Sequence, residues 1–411
     1  MNFFRRRLEA FPRIDDYRLA KSSGYWPYYK TVESASKPRF TIEGSEYINF
    51  GSNNYLSLSY HPEVIEAANR ATSKYGTGVT GSRLLNGTLD LHRELEAELA
   101  DFYGREAALV FSTGYVANVS TIGGLLHRHD YVVLDKDAHN SLLTGAQLSG
   151  ATMKRFGHND LDRLAKILAE LPADAGKGVI VDGVYSMGGD TAPLVELVEL
   201  CRSHPNTFLL DDEAHGLGVL GAHGRGAAEY HGVVADVDLV TITFSKTLGS
   251  CGGALVGSAD AVELLTLDSD PLIFTASNTP GSLAAALVAL RILRRDPSMP
   301  ARLQANVQRF VDLLTERSVP VNTPESAIIT IPLRQRDEVS AVMLARELLD
   351  AGVFVNPVVA PAVARGLGLI RLSLMLDHTP ALLEEAAEVI YKVMNENDQL
   401  PAEEDALAPT R

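Results

Sequence analysis

Lys246 stands just past an apolar run, 238–243, in Thr243-Phe-Ser-Lys246-Thr-Leu-Gly249. A lone ammonium is costly to bury, so a lysine at the end of a buried strand is either paired or reactive. By position alone, a salt-bridged or snorkelling lysine is the commoner outcome. In a closed pocket, however, its pKa falls and the amine can form a Schiff base. Asp212 shifts the balance. It follows the apolar run 207–210, so it can share a sheet edge with Lys246. A carboxylate aimed at a protonated ring nitrogen is what pyridoxal phosphate needs to act as an electron sink. A capping or ion-paired aspartate is the plainer alternative. His215, three residues on, can reach a ring hydroxyl. His139 follows the run 131–134 and can stack on an aromatic ring, or be an ordinary loop histidine. Ser112-Thr113-Gly114-Tyr115 lies between the run 108–111 and a helical stretch. The free N–H groups of such a helix start suit a phosphate. Thr243 offers a further hydroxyl. Each signal is weak alone; together, in one βα frame, they are strong.

The elements that must position these residues alternate. Short apolar runs at 131–134, 178–181, 207–210 and 238–243 read as buried strands. Helical patterns such as 161–170 and 193–202 separate them. This βα alternation predicts an α/β fold with a mainly parallel sheet between helices. Asp135, Asp182, Asp211, Asp212 and Lys246 fall at the C-terminal ends of the strands, where open α/β sheets bind ligands. From about residue 299 the texture changes to helix, strand, helix, strand, helix, a smaller α+β domain. The division expected is an N-terminal arm (1–50), a large domain (51–295), a small C-terminal domain (296–395) and an acidic, frayed tail (396–411).

Composition excludes several classes. With 37 Lys+Arg against 52 Asp+Glu the net charge is −15, which argues against a nucleic-acid surface. Cys201 and Cys251 are too few for a zinc pattern or a disulfide framework, and favour a reducing cytoplasm. No metal site is expected. The 20-residue uncharged stretch 107–126 is too polar to span a membrane. Phe3, Phe4, Leu8 and Phe11 flank Arg5, Arg6 and Arg7. That pattern allows a membrane-surface helix, though an arm packed on the body or on a partner is the favoured reading. Two motifs mislead. Gly76-Thr-Gly78-Val-Thr-Gly81 matches a dinucleotide fingerprint, but the helical pattern 62–75 precedes it where a strand is required. Asp212-Glu-Ala-His215 spells a helicase box, but no phosphate-cradling G-x-x-x-x-G-K-[ST] accompanies it.

In chain order, Ser52-Asn53-Asn54-Tyr55-Leu56, Gly81-Ser82-Arg83 with Asn86-Gly87-Thr88, Ser112-Thr113-Gly114-Tyr115, Asp182-Gly-Val-Tyr-Ser186-Met187, Asp212-Glu-Ala-His215-Gly, Thr243-Phe-Ser-Lys246 and Ile370-Arg371-Leu-Ser resemble the signatures of the α-oxoamine synthases. These are fold-type I pyridoxal-phosphate enzymes. The likeness spans roughly residues 47–395. Gly24-Tyr-Trp-Pro27-Tyr28 and Gly352-Val-Phe-Val-Asn-Pro357 resemble the serine-palmitoyltransferase-like branch more than the aminooxononanoate-synthase-like one.

The resemblance implies a seven-stranded-type sheet in the large domain. It makes Lys246 the Schiff-base lysine, His139 the residue stacked on the ring, and Asp212 the partner of the ring nitrogen. Ser186 and His215 then hold the ring hydroxyl region. Thr113, Gly114, Tyr115 and Thr243 address the phosphate, as does the partner subunit's Thr275. Asn53 and Arg371 bind the substrate carboxylate, Arg through its planar fork. Ser82 sets the pocket for a small amino acid: serine, glycine or alanine. The implied reaction joins that amino acid to an acyl thioester, of coenzyme A or a carrier protein, giving an α-amino ketone, CO2 and a thiol. The competing reading is another fold-type I reaction, such as aminotransfer. A homodimer with shared sites is expected. Two positions depart from the pattern: Gly188 stands where an acidic residue is usual, and Ser57 where glycine is usual.

Overall fold

The computed structural model describes residues 2–12, 14–335, 337–360 and 362–400. In chain order its strands are β1 (Arg39–Ile42), β2 (Ser45–Asn49), β3 (Ala107–Phe111), β4 (Tyr131–Asp135), β5 (Thr152–Phe156), β6 (Lys177–Asp182) and β7 (Thr207–Asp212). β8 (Leu239–Thr243), β9 (Gly253–Gly257), β10 (Ile328–Pro332), β11 (Val353–Phe354), β12 (Asn356–Val358) and β13 (Leu369–Ser373) follow.

The central sheet has seven strands in the order β3-β9-β8-β7-β6-β4-β5. All are mutually parallel except β9, which is antiparallel to both neighbours. The expected mainly parallel sheet is therefore present. Its inner strands β6 and β8 are buried throughout, which is why they read as unbroken apolar runs. Helices close both faces. The helix Leu161–Glu170 buries Leu164, Ile167 and Leu168 and is capped by Asp160, which accepts from the Arg163 N–H at 2.9 Å. The helix Pro280–Arg295 starts with proline after the Thr279 cap, a favoured N-terminus.

Sequence patterning misses β9 and β5. β9 lies in a Gly-rich stretch after Lys246, where the chain reverses through Gly249 (φ 58°) and Gly252 (φ 148°). A side chain on Gly253 would come 2.5 Å from the Gly114 Cα, so glycine alone lets β9 slide under the helix that starts there. β5 is the sheet edge and carries exposed Lys154 and Arg155, charge that blunts pairing with other chains.

The C-terminal part holds the antiparallel sheet β10-β13-β12. A third sheet, β1-β2-β11, pairs β2 in parallel with β11, Ile48 opposite Val353. Residues 39–49 of the expected arm are thus built into the same region as residues 353–354. The segment before them packs there too. Trp26 stands edge-on to Tyr17 and Tyr28, and the Tyr28 hydroxyl donates to the Pro357 carbonyl at 3.2 Å. The helix Phe3–Glu9, by contrast, buries none of its residues. Of the expected frayed tail, residues 401–411 lie outside the described residues. Within residues 396–400, Gln399 is buried and Asn397 closes the helix Pro380–Glu396. Gly76 ends the helix Pro62–Tyr75 at φ 87°, so no strand leads into the Gly76–Gly81 loop. Among the described residues no helix is long and apolar enough to cross a membrane.

Candidate active site

A cavity of about 250 Å³ opens at the C-terminal ends of the parallel strands. Its lining includes Thr113, Gly114 and Tyr115 after β3, His139 after β4, Asp182 and Ser186 at and after β6, Asp212 and His215 at and after β7, and Thr243 and Lys246 at and after β8. Strand pairing sets this arrangement. Asp182 and Asp212 are directly opposite in the β6–β7 register.

Lys246 makes no ion pair among the described residues, so the salt-bridged alternative is not what the fold builds. Burial pulls its ammonium down to about 8, against the opposing pull of Asp212 and Asp182. Asp212 is held by two donors: the Asn118 amide at 2.7 Å and the Ala214 N–H at 3.0 Å. Asn118 also donates to Ser141 at 2.8 Å. Ser141 is hydrogen-bonded to the ring of His139, Oγ to Nδ1 at 2.7 Å. His139 caps the helix Asn140–Leu148, and its own N–H donates to Asp182 at 3.2 Å. Burial lowers the affinity of His139 and His215 for a second proton; His139 is partly restored by Asp212. Burial and the neighbouring Asp212 push Asp182 well above the carboxylate range. Below it, burial and Glu213 push Asp211 up, and burial raises Glu213 to about 7. These carboxyls therefore load the sheet edge with less charge than their number suggests.

Gly114 begins the helix Gly114–Leu125, whose N-cap Thr113 accepts from the Val116 N–H at 3.0 Å. A Cβ at Gly114 would lie 2.7 Å from that of Thr243, so glycine here keeps the helix start tight against β8. The first N–H groups of such a helix lack partners within it, and Thr113, Gly114 and Tyr115 line the cavity, a cradle fitted to a phosphate. An amine with a lowered pKa, a held carboxylate, a cavity-lining histidine and an anion cradle fit pyridoxal phosphate. That combination defines the class: a fold-type I pyridoxal-phosphate enzyme.

Arg371 on β13 donates through Nε to the Ser186 carbonyl at 2.6 Å and through Nη2 to Asn53 Oδ1 at 3.2 Å. Ser373 adds a bond to Asn53 at 3.1 Å. Asn53 and Arg371 thus meet beside the Ser186 end of the cavity. Ser82 and Thr275 do not line it. They sit together elsewhere, where Ser82 bridges to Ala276 and the Ser277 N–H donates to the Gly81 carbonyl at 3.0 Å. Sequence reasoning missed Asn118, Ser141 and Tyr55; the first two lie on helix faces that read as ordinary core. The departures have local reasons. Ser57 sits at φ 60°, the left-handed region glycine favours. A side chain on Gly188 would meet the Asp190 carboxylate at 2.1 Å, and that carboxylate accepts from His158 Nε2 at 2.7 Å.

The profile of the aminotransferase class I and II family matches residues 45–390. The chain is 41% identical over 387 residues to the serine palmitoyltransferase of Sphingobacterium spiritivorum, covering 93% of this chain and 96% of that one. It is 37% identical over 384 residues to the 8-amino-7-oxononanoate synthase of Symbiobacterium thermophilum, covering 93% and 97%. The solved Sphingomonas wittichii serine palmitoyltransferase superposes with a TM-score of 0.91 at 39% identity, covering 95% and 98%. The chain belongs to the class I and II aminotransferase family, in its α-oxoamine synthase branch.

Proposed function

We propose that this α-oxoamine synthase condenses serine with a long-chain acyl thioester of coenzyme A. The reaction class itself is that of the family: a small amino acid and an acyl thioester give an α-amino ketone, CO2 and a free thiol. The choice of serine and a long chain is supported by the serine palmitoyltransferase relatives and by the segment 24–28 packed on residues 346–357.

The roles of the residues follow from their placement. When bound, pyridoxal phosphate supplies the aldehyde that takes up the amino acid and the ring that withdraws electrons from its Cα. Thr113, Gly114, Tyr115 and Thr243 would hold its phosphate, and His139 its ring face. Asp212, fixed by Asn118, would keep the proton on the ring nitrogen. Lys246 has an amine lowered to about 8, suited to taking the Cα proton near neutral pH. Asn53 and Arg371 would orient the substrate carboxylate, and Ser186 and His215 the ring hydroxyl side.

We further propose a homodimer in which Ser82 and Thr275 act at the partner's site. Their shared position away from the cavity supports this, as do the exposed Leu84, Leu85 and Phe274 beside them, at 60%, 79% and 82%. The division into a large domain (51–295) and a small one (296–395) is proposed on the change of sheet at β10. A cytoplasmic location is proposed on the two unpaired cysteines, Cys201 and Cys251.

The observation that carries the reading is Lys246, without an ion pair among the described residues, lining the same cavity as Asp212 and interacting with its charge. The test is a panel of serine, glycine and alanine with acyl-coenzyme A of rising chain length, read by thiol release. Serine with long chains should give the fastest release. Amino transfer to a keto acid without thiol release would overturn it.

A further inference from the structure

Tyr55 enters the sequence reading only as part of a motif, yet it touches both halves of the site. Its side chain is wholly buried. Its hydroxyl lies 2.7 Å from Nδ1 of His215 and 3.3 Å from Oδ1 of Asn53. The two rings meet edge-on, 6.0 Å between centroids.

The protons can be counted. A phenol has one hydrogen to donate, and a neutral imidazole has one N–H and one lone pair. Burial pushes the Tyr55 hydroxyl up and His215 well down, so both are neutral near pH 7. Two arrangements are then open. Tyr55 donates to Nδ1, or Nδ1–H donates to Tyr55 while Tyr55 donates to Asn53. Asn53 Oδ1 decides between them. It already faces Arg371 Nη2 at 3.2 Å and Ser373 Oγ at 3.1 Å, and a carbonyl oxygen has two lone pairs. Arg371 and Ser373 both interact with the phenol oxygen; a guanidinium only donates, and the Ser373 hydroxyl already directs its proton to Asn53. The Tyr55 proton is assigned to its shorter contact, 2.7 Å to His215 Nδ1 against 3.3 Å to Asn53 Oδ1.

We infer that Tyr55 is a positioning residue that fixes His215 as the Nε2–H tautomer, so that His215 meets the cavity as a hydrogen-bond donor. Nδ1 is engaged behind the site, and Nε2 is the nitrogen left for the cavity that His215 lines. A donor there matches an acceptor oxygen on the cofactor ring; this match rests on the pyridoxal-phosphate reading above, while the tautomer does not. Tyr55 and Asn53 also join the ring side of the cavity to the carboxylate side through one shared contact.

The test is nitrogen NMR of the full-length holoenzyme labelled with ¹⁵N-histidine. The His215 signals are assigned by their loss in His215→Gln. The expected result at pH 7 is an unprotonated Nδ1 and a protonated Nε2. In Tyr55→Phe, which removes one buried oxygen and keeps the ring, this preference should be lost and the absorption band of the bound cofactor should shift. A protonated Nδ1 in the wild type overturns the inference without any variant. An unchanged tautomer in Tyr55→Phe overturns it as well. Absence of thiol release, with the tautomer as expected, would count against the proposed reaction and not against this inference.

Discussion

The two sides of the cavity are built by different means. The cofactor side, with Thr113, His139, Asp182, Asp212, Thr243 and Lys246, hangs on the C-terminal ends of parallel strands of one sheet. Its geometry is set by backbone ladders buried in the core. The side proposed to bind the substrate carboxylate is assembled from segments far apart in the chain. Asn53 meets Arg371 across 318 residues, and Arg371 reaches the Ser186 carbonyl across 185. It is held mainly by side-chain hydrogen bonds. The first side is fixed by fold; the second depends on how the C-terminal sheet sits against the large one. Changes on the cofactor side should therefore cost chemistry with little effect on stability. Changes on the carboxylate side should cost substrate binding.

The largest effect expected is from Lys246→Ala. Loss of a positioned base should lower turnover by at least about 10²–10⁴-fold. The circular dichroism spectrum should not change, since the side chain makes no ion pair among the described residues. A variant with near-normal turnover would remove the cofactor side from the account. Asp212→Asn keeps the shape and the bond to Ala214 but removes the charge. A drop of roughly 10²–10³-fold in kcat is expected, typical of losing one preorganised electrostatic group. A rise in KM with kcat intact would blur the division between the two sides.

Arg371→Lys tests the other side. It retains a positive charge but loses the fork that reaches Ser186 and Asn53 together. The amino-acid KM should rise about tenfold, equivalent to about 1.4 kcal/mol, with a smaller change in kcat. A fall in kcat alone would place Arg371 on the chemical side.

The smallest effect expected concerns the loop after Ser186, which lies between them. His158 bonds Asp190 at 2.7 Å and Asp135 at 3.4 Å, tying the loop after Ser186 to the end of β4. Burial alone would lower His158, but its bonds to Asp135 and Asp190 prevail and push it up to about 10. An unfolded histidine titrates near 6.5. The stabilisation is therefore complete below about pH 6.5, shrinks as pH rises, and is gone above about 10. Because the ring keeps about a quarter of its surface in water and its nearer partner, Asp190, is partly solvated, the loss in His158→Gln should be only about 1 kcal/mol. Urea unfolding midpoints should fall more steeply with pH in the wild type than in the variant. Parallel curves would show that the loop is held by other bonds.

The same division explains what the sequence made legible. Lys246, Asp212 and His139 each follow an apolar run, so the strand pattern alone places them on one edge. Thr113 and Gly114 were readable for the same reason. Arg371, Asn53 and Thr275 carry no local pattern. They were named only through resemblance, because their partners are set by tertiary packing. Asn118 escaped, and Tyr55 entered only as a motif member without a role: one sits in a helix of small and apolar residues, the other is buried like any core aromatic. β9 and β5 were missed because a glycine reversal and a charged edge hide the alternation that marks strands.

The most direct test of the account is chemical trapping. The holoenzyme is reduced with borohydride, digested, and the peptides are weighed. Pyridoxyl mass on the peptide carrying Lys246, with the yellow colour lost in Lys246→Ala, is the predicted result. A colourless wild type, or the label on a different lysine, would contradict it.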